Sequence, residues 1–205
     1  MLTFAALICS LPSETQHSMS NETWDERYRQ DGDQIKEPAV FLVEQLDRLP
    51  PGRALDLAAG SGRNALFLAA HGYPTDAVDA SEVAVEKLSA LAKKESLPIV
   101  TVKAELPDYT IAKNTYAVIL NFYFLERKLF RTIKEGLIDG GMLLFETYTV
   151  EQAHFGRPRN PEFLLKPNEL LHSFSDLHII YYHERIDRSG TAPRAIASLL
   201  AEKRG

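Results

Sequence analysis

Residues 56–65 read DLAAGSGRNA. An apolar run, RALDL at 53–57, leads into them, and a second, RNALFLAAHG at 63–72, leads out. Between the runs, Gly60 and Gly62 let the backbone turn sharply and let a ligand approach with no Cβ in the way. A strand, a glycine turn and a helix N-terminus bring free N–H groups to one point, the point at which a doubly wound sheet binds its ligands. This stretch decides the reading: an α/β chain with a nucleotide-like ligand against its first turn.

The same alternation continues outward. Strand-like runs follow at 74–80, 98–104, 115–124, 142–149, 177–186 and 194–203, and helical patterns lie at 63–72, 82–95 and 126–137. Strands alternating with helices imply a parallel sheet covered on both faces. TYAVILNFYF at 115–124 is apolar throughout and suits a strand buried on both sides. Only DRSGTAP separates the last two strands, too short for a parallel crossover, so they are expected to pair antiparallel. Ser81 is expected to cap the helix of 82–95, and Gly72 to end the one before it. NETWDERYRQ at 21–30 reads as a short helix capped by Ser20 or Asn21, and Pro38 and Pro167 as the first-turn residues of two more.

Composition sets bounds. A chain of 205 residues suits one domain. A net charge of −5 argues against a nucleic-acid partner. The one cysteine, Cys9, allows no intrachain disulfide and fits a reducing, cytoplasmic setting. No run is long enough to span a bilayer, so no membrane partner is expected. LTFAALIC at 2–9 is apolar, but no Lys or Arg precedes it and no A-x-A site follows. Residues 1–18 are therefore read as a disordered tail or an over-called start, and 19–205 as the domain.

Two cofactor classes share the glycine layout. Gly60, Gly62 and Ala65 satisfy the G-x-G-x-x-G/A pattern of dinucleotide sites, which leaves an NAD-dependent oxidoreductase open. Asp79 ends the second strand about twenty residues beyond the loop, where a carboxylate accepts ribose hydroxyls. Asp56 discriminates. At the mouth of the first strand it would repel a pyrophosphate, whereas a ligand bearing an ammonium and a sulfonium would be attracted. S-adenosyl-L-methionine is such a ligand.

DLAAGSGRNALFLAAHGY, the Arg63-Asn64 pair within it, TWDERY and AVDAS together resemble the class I S-adenosylmethionine-dependent methyltransferases of the tellurite-resistance (TehB-like) group. The resemblance runs from about residue 22 to 203. It implies a three-layer αβα Rossmann-like fold whose seven-stranded sheet has the order 3-2-1-4-5-7-6, with the last strand reversed. It also implies cofactor contacts. Asp56, Gly60, Gly62 and Asn64 fall at the methionyl end, Asp79 and Ala80 at the ribose, Glu105 and Leu106 at the adenine, and Asn121 and Phe122 at the border. Trp24, Arg27 and Tyr28 form a lid. Three positions depart from the group: Ala58 replaces its first glycine, Glu105 an aspartate, and Ala80 a larger residue.

Methyl transfer from a sulfonium is an in-line displacement that needs positioning more than a catalytic triad. No C-x-x-C, H-x-x-x-H or G-x-S-x-G occurs, so no metal is expected. Acceptor-side candidates lie after the fourth and fifth strands: Tyr123, Glu146, Tyr148, His154, Arg157 and Arg159. Arg194 matches an arginine that faces the active site in the group, while the group's adjacent His-Arg pair has no clear match. Tyr123, His154 and Arg194 are the catalytic candidates. The acceptor is expected to be a small molecule and the protein a monomer or homodimer. A cofactor-binding module without turnover is the reading from another class. His178 and His183 lie at odd separation and are expected on opposite strand faces. Arg127, Arg131 and Lys134 are read as a solvated helical stripe.

Overall fold

The computed structural model describes residues 21–30 and 36–205; the tail reading of residues 1–18 and the cap reading of Ser20 lie outside them. Strands β1 (Ala54–Leu57), β2 (Thr75–Asp79), β3 (Ile99–Lys103), β4 (Tyr116–Phe122), β5 (Leu137–Tyr148), β6 (His178–Asp187) and β7 (Arg194–Glu202) form one sheet in the order β3-β2-β1-β4-β5-β7-β6. The pairs from β3 through to β5 are parallel, and β7 runs antiparallel to both β5 and β6. This is the expected Rossmann-like order.

Helices α1 (Asn21–Gln30), α2 (Val40–Gln45), α3 (Arg63–Ala70), α4 (Glu82–Lys94), α5 (Leu129–Gly136) and α6 (Glu169–Ser173) surround the sheet. One core joins Leu55, Ile119, Leu143 and Phe145 to Ile133 of α5 and Leu170 of α6. A second joins Val118, Leu120, Leu144 and Leu200 to Phe41 and Leu42 of α2 and Leu68 of α3. Every residue of β4 is buried, as its unbroken apolar run requires. Each such aliphatic side chain contributes about 1.5–3 kcal/mol. The central strands thus hold their carboxyl ends, and the loops that follow, in fixed register.

Several local expectations shift. Helix α2 starts at Val40, with Ala39 as its cap residue and no side-chain cap of its own. Asn64 of α3 meets the need from across the fold, accepting the Ala39 N–H at 2.9 Å. Helix α6 starts after Asn168, which takes the left-handed conformation at φ 59°. Ser81 does cap α4, its Oγ accepting from the Ala84 amide at 3.2 Å. Strand β5 begins at Leu137, earlier than expected, and its register shifts where Tyr116 gives way to Val118 on β4. A bulge between Ile179 and Tyr181 sets His178 opposite Glu202 and His183 opposite Ser198. Those partners are four apart on β7, so the two histidines share a face, five residues apart. Arg127 is exposed, as the solvated stripe expects, yet it is also bonded. It forks onto Glu169 at 2.6 and 3.0 Å and donates to the carbonyls of Glu162 and Leu164. Arg131 and Lys134 pair with Glu135 and Asp176.

Candidate active site

The loop after β1 uses the left-handed backbone three times, at Ala58 (φ 55°), Gly60 (φ 56°) and Gly62 (φ 87°). A Cβ on Gly62 would lie 2.2 Å from Leu88 Cδ1, so this glycine lets α3 pack against α4. A Cβ on Gly60 would lie 2.6 Å from the Tyr28 hydroxyl, so this one lies directly beneath α1. Ala58 bears the left-handed backbone without the relief a glycine gives, at about 1–2 kcal/mol.

Two carboxylates face this loop. Asp79 Oδ2 accepts the Gly60 N–H at 2.7 Å and its Oδ1 the Ser81 N–H at 2.9 Å. Burial raises its pKa, and the amides of Ser81, Gly60 and Ala80 oppose the rise. Asp56 is 1% exposed. Its Oδ2 has no hydrogen-bond partner among the described residues. Burial pushes its carboxyl up to about 7, with Asp79 adding to the rise and Arg63 and the Ala65 amide opposing it.

Helix α1 lies over the loop. Trp24 and Tyr28 stack at 6.2 Å, and the Arg27 guanidinium stands 5.1 Å from the Trp24 ring centroid. Asp25 ties the helix down: its Oδ1 accepts from the Ser81 hydroxyl and from the Val83 amide, at the N-terminus of α4. There the carboxylate also complements the helix dipole. Lys87 Nζ donates to the Tyr28 carbonyl at 2.5 Å.

Farther along the sheet edge, Asn121 is buried and its Nδ2 donates to the Phe124 carbonyl at 2.7 Å. Phe122 and Leu106 are buried in the two cores, whereas Glu105 is exposed at the start of the turn after β3. Asn64 Oδ1 is engaged by the Ala39 N–H. Tyr123 holds a left-handed φ of 57°. Its ring packs on Tyr148 at 5.3 Å, with the Arg63 and Arg194 guanidinium carbons 5.5 and 5.7 Å from its centroid. Its hydroxyl donates to Glu146 Oε1 at 2.8 Å and accepts from Arg194 Nη1 at 3.2 Å. Arg194 also donates to Asp187 at 2.5 Å. The Ser189 hydroxyl and amide, then Arg194, hold the Asp187 carboxyl down to about 2. His154 is apart from this cluster, exposed and 3.7 Å from Glu151. Arg157 and Arg159 are exposed as well. Among the described residues no three His, Cys, Asp or Glu side chains are placed to hold a metal ion, and no helix is long and apolar enough to cross a membrane.

The family model described as tellurite resistance protein TehB matches residues 24–191. The chain belongs to the TehB family. A probable S-adenosyl-L-methionine-dependent methyltransferase TehB of Haemophilus influenzae is 26% identical over 177 residues, which make up 80% of this chain and 61% of that one. The chain therefore spans about three fifths of that relative's length. The crystal structure of TehB from Haemophilus influenzae superposes with a TM-score of 0.73 at 24% identity, covering 88% of this chain and 67% of that one. An S-adenosylmethionine-dependent methyltransferase from Clostridium acetobutylicum gives 0.65 at 15% identity, covering 90% and 97%. These likenesses establish a shared fold.

Within this TehB-family chain, four residues of the site escaped sequence reading. Asp25 anchors α1. Gln152 pins the turn after β5, accepting from the Ala195 amide and donating to the Arg157 carbonyl. Arg185 and Ser198 both reach Glu146. A signal existed for one: Ser198 is the lone polar residue inside IASLLA. Its partner was hidden in the register of β5 against β7.

Proposed function

We propose that this chain transfers a methyl group from S-adenosyl-L-methionine to a small-molecule acceptor. One observation carries the reading: Asp56, buried beside the glycine loop with an oxygen lacking a partner among the described residues. A pyrophosphate there would meet like charge from Asp56 and Asp79, whereas an ammonium would find a carboxylate waiting. The residues thus fit the cofactor named by the relatives. When bound, that cofactor supplies a methyl group already activated by its sulfonium.

The chain's own residues bind, orient and exclude water. Asp56 pairs with the ammonium. Asp79 has given one lone pair to each of two amides and keeps others for ribose hydroxyls. Glu105, Leu106, Ala80, Asn121 and Phe122 border the nucleoside. Asn64 works indirectly by fixing the start of α2. Helix α1, with Trp24, Arg27 and Tyr28, is the lid of the domain that begins near residue 19. Arg194 and Tyr123 face the acceptor, and His154 is given no role. The family's tellurite description makes soft nucleophiles the first acceptors to try. The cytoplasm is the setting, on the strength of the single cysteine.

Calorimetry tests the reading. S-adenosyl-L-methionine should bind and NAD should not. A cation beside Asp56 draws its proton off, so binding at pH 7 should release about half a proton. Affinity should rise roughly tenfold from pH 5.5 to 7, below the ammonium's own titration. NAD binding with no response to S-adenosyl-L-methionine would install the oxidoreductase reading instead.

A further inference from the structure

Glu146 is a buried carboxylate, 3% exposed, that the proposed reaction has not yet used. Its Oε2 accepts from Ser198 Oγ at 2.6 Å and faces Arg185 Nη2 at 3.4 Å. Arg185 Nη1 in turn donates to Ser198 Oγ at 2.6 Å. Its Oε1 accepts from the Tyr123 hydroxyl at 2.8 Å. The backbone reinforces the pair, because the Tyr123 N–H donates to the Glu146 carbonyl at 2.7 Å. Tyr123 thus keeps a left-handed conformation that a tyrosine rarely adopts, at the carboxyl end of a central strand. Arg63, the first residue of α3 after the glycine loop, reaches the Tyr123 ring and also bears on Asp56. Tyr123 therefore stands one arginine side chain from the loop.

A phenolic hydroxyl both donates and accepts. Its proton is committed to Glu146 at 2.8 Å, and its acceptor side holds the longer 3.2 Å contact from Arg194 Nη1. A proton-bearing acceptor takes that side in place of the Arg194 contact. Resting on the methyltransfer reading, we propose that Tyr123 and Glu146 form a proton-accepting relay, so that the acceptor is a nucleophile still carrying its proton, a thiol or amine, and not a bare oxyanion. As the bond from methyl carbon to the acceptor's S or N forms and the carbon–sulfonium bond breaks, the acceptor's proton passes to Tyr123 Oη. The Tyr123 proton passes to Glu146 Oε1. After product leaves, Glu146 returns its proton through Tyr123 to water. Burial and the Glu146 charge keep the Tyr123 hydroxyl protonated at rest, so it relays without becoming tyrosinate. The charged groups around the pair are Arg63, Arg194, Arg185 and Asp187, with Tyr148 against the ring.

The test uses the full chain and the variants Tyr123→Phe and Glu146→Gln, with melting and S-adenosyl-L-methionine calorimetry as controls. The probes are 2-mercaptoethanol, protonated at pH 7, an aryl thiol ionised at pH 7, and selenite. Both variants should bind cofactor like the parent. Each should lose tenfold or more in transfer to 2-mercaptoethanol and stay within about threefold on the aryl thiolate. Independently of turnover, the Tyr123 Cζ signal in ring-labelled protein, assigned by its absence from Tyr123→Phe, should move in Glu146→Gln. An equal loss on both thiols, an unmoved Tyr123 signal, or a cofactor-binding parent that methylates only selenite or no probe at all overturns the relay. Failure to bind S-adenosyl-L-methionine sinks the underlying reading instead.

Discussion

With its carboxyl pushed from an ordinary 3.8 to about 7 by burial, Asp56 holds a proton more tightly in the folded chain than in the unfolded one. Between those values the native state binds more protons, so stability falls as pH rises. The Asp56 contribution is most favourable below pH 3.8 and is lost as pH climbs through about 7. Asp56→Asn should therefore be more stable than the parent at pH 8, by about 2–4 kcal/mol, and nearly level with it at about pH 3.5. Urea unfolding at the two pH values measures this, and a gap that does not widen with pH would show that Asp56 is solvated. The same variant should bind S-adenosyl-L-methionine at least tenfold more weakly, the trade of stability for function that a strained site makes. The two loop glycines separate in the same way. Gly62→Ala combines a left-handed backbone with a Cβ only 2.2 Å from Leu88 Cδ1 and should cost about 2–4 kcal/mol. Gly60→Ala meets only the far end of Tyr28, which can swing away, so its loss should be nearer 1–2 kcal/mol. Equal losses in thermal unfolding would mean that α1 is as fixed as α4.

At the scale of elements, two described side chains tie α1 to α4. Asp25 reaches Ser81 and Val83, and Lys87 reaches the Tyr28 carbonyl. Ser81 serves twice, since its Oγ also caps α4. Asp25→Ala leaves that cap in place, so the melting temperature should change by only a few degrees. Hydrogen exchange across 21–30 should quicken, and the S-adenosyl-L-methionine dissociation constant should rise several-fold if α1 is the lid. A loosened helix with unchanged affinity would strip α1 of that role. The elements themselves were largely legible. Alternating apolar runs and glycine or proline stops carry helix and strand in local periodicity. The misses came where a distant residue changed a local rule. Asn64 supplies the cap that Ala39 lacks, so α2 starts later than Pro38 suggests. The bulge in β6 reverses an alternation that counting residues takes as unbroken.

Across the whole molecule, the two halves of the site differ in how they are encoded. Asp56, the glycines and Asp79 sit on β1, β2 and the turn between, and adjacent parallel strands bring them together in any sheet of this order. They were readable because their meeting needs only the topology. The proposed acceptor side draws on β4, β5, β6 and β7. Glu146 meets Ser198 because β5 and β7 pair in that register, and Arg185 comes in from the edge strand beyond. Nothing in a linear string fixes that register, so His154, Arg157 and Arg159 stood among the acceptor-side candidates with Arg194, which the family resemblance alone singled out. One further property of the fold follows from where its aromatic residues fall. Trp24 is the chain's only tryptophan, and it sits on α1, half-buried, beneath Arg27 and against Tyr28. Indole emission excited at its red edge therefore reports this one helix and nothing else. Addition of S-adenosyl-L-methionine should shift the emission maximum and shield it from iodide. The amplitude of that change in stopped flow would time the opening and closing of α1 without any label.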